Sequence, residues 1–153
     1  METMVYLFIL SILTVALISA LMVMIRSSAA SRIERNLNQS AVSALGRVVQ
    51  ELRRANSATV ISANQLSLNT TDWSGVATTV QLSVQGGVLM IQSGASAAVP
   101  LTLGHSQVSS LTFTKVTTKH SQAVRVQLSL TDSRGSAPTT LNFNTTTVLR
   151  GSY

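Results

Sequence analysis

A chain of 153 residues has room for one soluble domain beside a membrane segment, and for little more. With 45% apolar and only 10% charged residues, its surface must be covered by neutral Ser, Thr, Asn and Gln, which favours Thr- and Val-rich β structure over a salt-bridged helical bundle. The absence of cysteine excludes disulfides, thiolate metal sites and thiol catalysis; the net charge of +6 is local, because six of the eleven basic residues (Arg26, Arg32, Arg35, Arg47, Arg53 and Arg54) fall in one stretch.

Residues 4–25 form an apolar run without charge, Gly or Pro. A hydrocarbon core about 30 Å thick needs roughly 20 helical residues at about 1.5 Å each, so the run is long enough to span a bilayer. Ser11, Thr14 and Ser19 interrupt it, but each hydroxyl can return to a carbonyl of the preceding turn. A cleaved secretory signal fits poorly, since its apolar region runs about 7 to 15 residues after a basic segment. Here an acid, Glu2, comes first, and the helical pattern flows on through the cleavage-like Ser28-Ala29-Ala30.

Beyond the run, apolar residues recur every three or four positions at Ile33, Leu37, Ala41, Ala44, Leu45, Val48, Leu52 and Ala55. Arg32, Glu34, Arg35, Asn38, Gln39, Arg47, Gln50, Glu51, Arg53 and Arg54 fall mostly on the other side. The spacing predicts one helix continuing to about Asn56, about 80 Å in all. Its stripe, Ile33, Leu37, Leu45, Val48 and Leu52, is expected to pack on the protein's own sheet rather than on a coiled-coil partner. Gly46 is the weak point of the pattern, a place where a sheet or neighbouring helix can approach closely.

From Asn56 the period becomes two. Thr59-Val60-Ile61 and Gln65-Leu66-Ser67-Leu68-Asn69 read as strands around a turn at Asn64, followed by a loop to Trp73. Residues 78–85 and 88–92, joined by Gly86-Gly87, are the clearest hairpin, because two glycines supply the positive φ of a tight primed turn. Val99-Pro100-Leu101-Thr102-Leu103 reads as a short edge strand, and residues 108–116, 123–131 and 141–150 as three longer ones. Each has one apolar and one neutral polar face, the pattern of an antiparallel sheet covered on one side. The expected fold is therefore α+β: a membrane half of the helix (1–26), an amphipathic half (27–56), and an antiparallel β head (57–153).

Chemistry-bearing constellations are sparse. His105 and His120 sit in polar, turn-like surroundings without acidic or sulfur partners nearby in sequence and read as surface histidines. Glu2, Glu34, Glu51, Asp72 and Asp132 are scattered and offer no paired-carboxylate spacing, no serine has a nucleophile-elbow setting, and no helix follows Gly86-Gly87 to make a phosphate loop. The expectation is a protein that is not an enzyme and takes no metal, cofactor or small-molecule substrate. Trp73, the sole tryptophan, reads as a lid over one end of the core.

The segment Glu2-Thr3-Met4-Val5-Tyr6-Leu7-Phe8-Ile9-Leu10 resembles the N-terminus of type IV pilins and pseudopilins, where a glutamate opens a long apolar helix. Glu51-Leu52-Arg53-Arg54-Ala55 resembles the helix end of J-type minor pseudopilins and W-type minor pilins. Leu111-Thr112-Phe113, Val124-Arg125-Val126-Gln127-Leu128 and Val148-Leu149-Arg150 look similar to minor-pilin heads. The order of elements, one N-terminal helix followed only by antiparallel strands, is also the pilin layout. The resemblance implies a structural subunit, of the minor kind, in a type IV pilus, competence pilus or type II secretion pseudopilus. Glu2 would pair with the terminal amine of an adjacent subunit, and Met4, Tyr6, Leu7, Phe8, Leu10, Leu13, Leu17 and Leu21 would build the membrane and filament-core helix. Implied partners are other pilin subunits, inner-membrane lipid and the assembly platform; the implied location is a single-pass inner-membrane state with an extracytoplasmic head, then the filament. Two departures stand out. The family's basic, Gly-ended leader and its methylated cut site are replaced by Met1 alone, which implies a truncated or misassigned start or a partly trimmed form, and Ser19 lies where many pilins carry a helix-breaking Pro.

Two other readings compete. A single-pass anchored β-domain acting as a binding module would follow from Arg26, Arg32 and Arg35 behind the span, since the positive-inside rule puts the head in the cytoplasm. DNA binding through Arg47, Arg53 and Arg54 lacks interleaved aromatics and is the weakest of the three.

Overall fold

The computed structural model describes residues 2–71, 74–102, 104–117, 121–134 and 138–149. Among the described residues one helix, α1 (Glu2–Arg54, 53 residues), precedes eight strands: β1 (Ala55–Ser62), β2 (Gln65–Thr71), β3 (Ala77–Gln85), β4 (Val88–Ser93), β5 (Val99–Pro100), β6 (Gln107–Thr117), β7 (Gln122–Asp132) and β8 (Thr139–Val148). Residues 2–54 contain no Pro, and Arg53 and Arg54 place positive charge at the carbonyl end of the helix, where it offsets the macrodipole.

The helix stops two residues before the expected Asn56 and passes directly into β1. Ala55 pairs with Thr70, and the Asn56 side chain donates to Thr71 Oγ1 at 3.0 Å, so the strand ladder captures both residues. The same ladder extends β1 and β2 beyond their expected ends, with β2 running to Thr71. In contrast, the strand expected over residues 99–103 pairs only at Val99 and Pro100: the ring nitrogen of Pro has no hydrogen to donate, and beyond it Leu101 N–H bonds to Leu89 O at 2.7 Å while Thr102 Oγ1 accepts from Leu89 N–H at 3.2 Å. The expected hairpin turn is present, with φ of 57° at Gly86 and 77° at Gly87.

The head is not one sheet but two. A five-stranded sheet has the order β1-β2-β3-β4-β5 and a three-stranded sheet the order β6-β7-β8, every pair antiparallel. They meet where the β6 edge crosses the hairpin turns of the first sheet: Val108 N–H donates to Gly87 O at 2.7 Å and Phe113 N–H to Ala63 O at 2.9 Å. Lys115 Nζ adds a bond to Ala58 O at 3.0 Å. Two backbone bonds occupy the β6 edge without merging the ladders, a long-range arrangement that period-two alternation cannot announce.

The C-terminal half of α1 covers both sheets, packing on β8 and β7 and also on β2 and β1. Ile33, Leu37, Ala41, Ala44, Val48 and Leu52 are buried there in one core with Leu66, Leu68, Val80, Leu82, Leu111, Phe113, Val124, Val126, Leu128 and Leu130. Leu45, expected in the stripe, is only partly buried at its margin. Glu51, assigned to the polar side, is buried beside Leu52. Its Oε1 meets Arg47 Nη2 at 2.8 Å, so the carboxylate is taken out of water only with a guanidinium one turn back. Gly46 has open space around it, with nothing within 4 Å of an added Cβ, so it marks no close approach to either sheet.

A second buried acid closes β7. Asp132, 1% exposed, receives the Arg134 backbone N–H at 3.0 Å and its Nε–H at 3.0 and 3.1 Å, with a further bond from Nη2. The side-chain bonds from Arg134 hold the Asp132 carboxyl below the usual carboxylate range, against the upward push of burial. The Trp73 lid and His120, together with Asp72, Leu103 and Arg150, lie outside the described residues.

Candidate functional site

The N-terminal half of α1 is the feature that the head does not account for. Every described side chain from residue 3 to residue 32 is exposed, and Ile33 is the first buried residue. Met4 is 78% exposed, Phe8 67% and Leu17 58%, with Tyr6, Leu7, Leu10, Leu13 and Leu21 similarly bare. Seventeen large apolar side chains between Met4 and Ile25 are more than half exposed; at roughly 2 kcal/mol each they leave on the order of 30 kcal/mol of burial unrealised on this half. That exceeds the whole net stability of a typical domain, about 5 to 15 kcal/mol, so leaving the segment exposed to water is costly. Among the described residues one helix, near the N-terminus, is long and apolar enough to cross a membrane.

Of its polar interruptions, Thr14 behaves as expected: its Oγ1 donates to Leu10 O at 2.7 Å, which satisfies the hydroxyl within the helix. Glu2 lies in the first turn of α1, and its side chain is outside the described residues. Above the apolar half, Arg35 Nε donates to Ser31 O at 3.2 Å, and Arg26, Arg32 and Arg35 are exposed.

The head offers little convergent chemistry. Among the described residues no group of three or more His, Cys, Asp or Glu could hold a metal ion. His105 is exposed in a turn, near enough to Asp132 to help lower its carboxyl. The outer face of the three-stranded sheet carries the exposed Arg125 and, farther along β7, a chain of neutral groups: Ser110 Oγ donates to Ser129 Oγ at 3.0 Å, and Ser129 Oγ to Asn142 Oδ1 at 2.7 Å. These hydroxyls and amides bond to one another. Arg47, Arg53 and Arg54, the residues of the DNA reading, are on α1, but Arg47 is held by Glu51.

The sequence reasoning therefore located the exposed apolar half and most of the packing stripe, and it missed Glu51 and Asp132 as buried, paired carboxylates. For Asp132 the signal was local: Asp132-Ser133-Arg134 places a cation two residues on, within reach of a turn. No protein-family model, curated protein or solved structure matches this chain.

Proposed function

We propose that the chain is a structural, non-catalytic subunit of a type IV pilus, competence pilus or type II secretion pseudopilus, anchored in the membrane by its apolar half and assembling through it. The observation that carries this reading is that one unbroken helix is both the exposed apolar segment and the spine of the head. A plain anchor needs only a linker between span and domain. A helix shared by the two fixes the head relative to the span, so packing the apolar halves of neighbouring subunits would also set the spacing of their heads.

In this reading Met4, Tyr6, Leu7, Phe8, Leu10, Leu13, Leu17 and Leu21 supply the apolar contacts, and Glu2 supplies register. A carboxylate desolvated among apolar helices is costly unless it meets a cation, and the terminal amine of an adjacent subunit is the cation the resemblance implies. The test is Glu2→Gln in a strain carrying the full gene. The expected result is normal membrane insertion and head folding with reduced incorporation into sheared surface filaments; wild-type incorporation would remove Glu2 from the mechanism.

The anchored-module reading is favoured by one observation, the exposed Arg26, Arg32 and Arg35 behind the span. Protease added to intact spheroplasts separates the two, because a filament subunit exposes its head to the outside and the module would keep it protected.

A further inference from the structure

A groove on α1 lies where the apolar half ends. It is an open hollow of about 430 Å³ lined by Leu21, Met24, Ile25, Ser28, Ala29 and Arg32. Their spacing of three and four residues puts them on one face of the helix, away from the stripe that binds the sheets. Leu21, Met24 and Ile25 form an apolar lower wall, more than half exposed. Ser28 and Ala29 are small and leave the dip, and Arg32 closes the upper end.

The height of that arginine matters. Arg32 is seven residues beyond Ile25, about 10 Å along the axis, while the polar layer of a bilayer leaflet is about 5 to 8 Å deep. Long side chains on a helix point back toward its N-terminus, which returns the guanidinium to headgroup level. Arg26 and Arg35 add positive charge on either side, and among the described residues no ion pair engages any of the three.

We propose that this groove holds one anionic phospholipid, its acyl chain against Leu21, Met24 and Ile25 over the Ser28–Ala29 dip and its phosphate on Arg32. The inference rests on reading residues 4–25 as a membrane span and is independent of filament assembly. Charge and shape choose this occupant together: a free phosphate has no use for the apolar wall, and an uncharged lipid has no use for the guanidinium.

The full chain is reconstituted in nanodiscs containing phosphatidylglycerol and phosphatidylcholine, released into mild detergent, and its retained lipid counted by native mass spectrometry. The wild-type chain is expected to retain phosphatidylglycerol over phosphatidylcholine, and Arg32→Gln to lower that preference about fivefold, the factor equivalent to about 1 kcal/mol for one cation at an anionic surface. Ala29→Leu, which fills the dip without touching a charge, should also reduce retention. Arg53→Gln, far up the helix, should leave it unchanged. Equal retention of the two lipids, or equal losses in the Arg32 and Arg53 variants, would overturn the site in favour of diffuse attraction or none. Loss of the chain from vesicles on alkaline washing would overturn the span itself, an outcome distinct from stable insertion without lipid preference.

Discussion

The two halves of α1 share one backbone and differ in what surrounds them. From Ile33 onward most of the apolar residues sit on one side and are buried under two sheets, with Val42 the exposed exception; from Met4 to Ile25 they go all the way round, and the head covers none of them. The difference teaches that apolar content alone does not locate a core. The one-sided half has a partner within the chain because its polar side can face water, whereas the all-round half can be satisfied only by lipid or by other apolar helices.

The sharpest way to break the comparison is to place the same charge in each half. Leu52→Asp puts a carboxylate at a position with no exposure, where an unpaired buried charge costs several kcal/mol, and it is expected to unfold the head in detergent-solubilised protein followed by near-UV circular dichroism. Leu45→Asp should be much milder, since Leu45 lies at the stripe's margin. A cooperative, wild-type melt for Leu52→Asp would mean that the stripe faces a partner and not the sheets. The companion change, Leu17→Asp, is expected to leave the head's melting intact and to weaken membrane insertion by about 3 kcal/mol, read as the fraction of chain resisting alkaline extraction.

Smaller effects sharpen the picture within the head. Because Arg134 depresses the Asp132 carboxyl in the folded state, the stability it contributes is present above the ordinary carboxylate pKa and is lost as pH falls through the lowered folded value. Asp132→Asn is therefore expected to lower the melting temperature by a few degrees at neutral pH. The gap to wild type should close on acidification below the carboxylate range; a gap that stays constant with pH would assign the loss to packing. Last, Gly46→Ala should raise stability by roughly 0.5 to 1 kcal/mol in chemical denaturation, since the added methyl meets open space and the helix gains propensity. A loss there would reveal a neighbour that only an assembly supplies.

Much of this architecture was legible in the order of residues, and the reasons are local. Ile33, Leu37, Val48 and Leu52 declare a face because a helix repeats every 3.6 residues, and Gly86-Gly87 declares a turn because the backbone there needs positive φ. Glu51 was misplaced because a charge reads as solvated until Arg47, one turn earlier, is seen to cover it. The division into two sheets was hidden for a different reason: alternation says which face of a strand is apolar, but not that Val108 and Phe113 will turn their N–H groups to Gly87 and Ala63. Of the candidate site, the exposed apolar half was legible from composition, and the groove at its end was not, since it depends on Arg32 sharing a face with Ser28 and Ala29.

The absence of any Pro between Glu2 and Arg54 has a mechanical consequence. Where its apolar half spans a bilayer, a helix of this kind is a stiff lever with its fulcrum there. Membrane helices tilt by about 20° on average. Over the roughly 40 Å that separates the top of the span from the end of α1, that swing carries the head sideways by about 14 Å. Changes in bilayer thickness, or in how the apolar halves lean on one another, would thus be reported at the head as displacement, with the lever arm amplifying what happens inside the membrane.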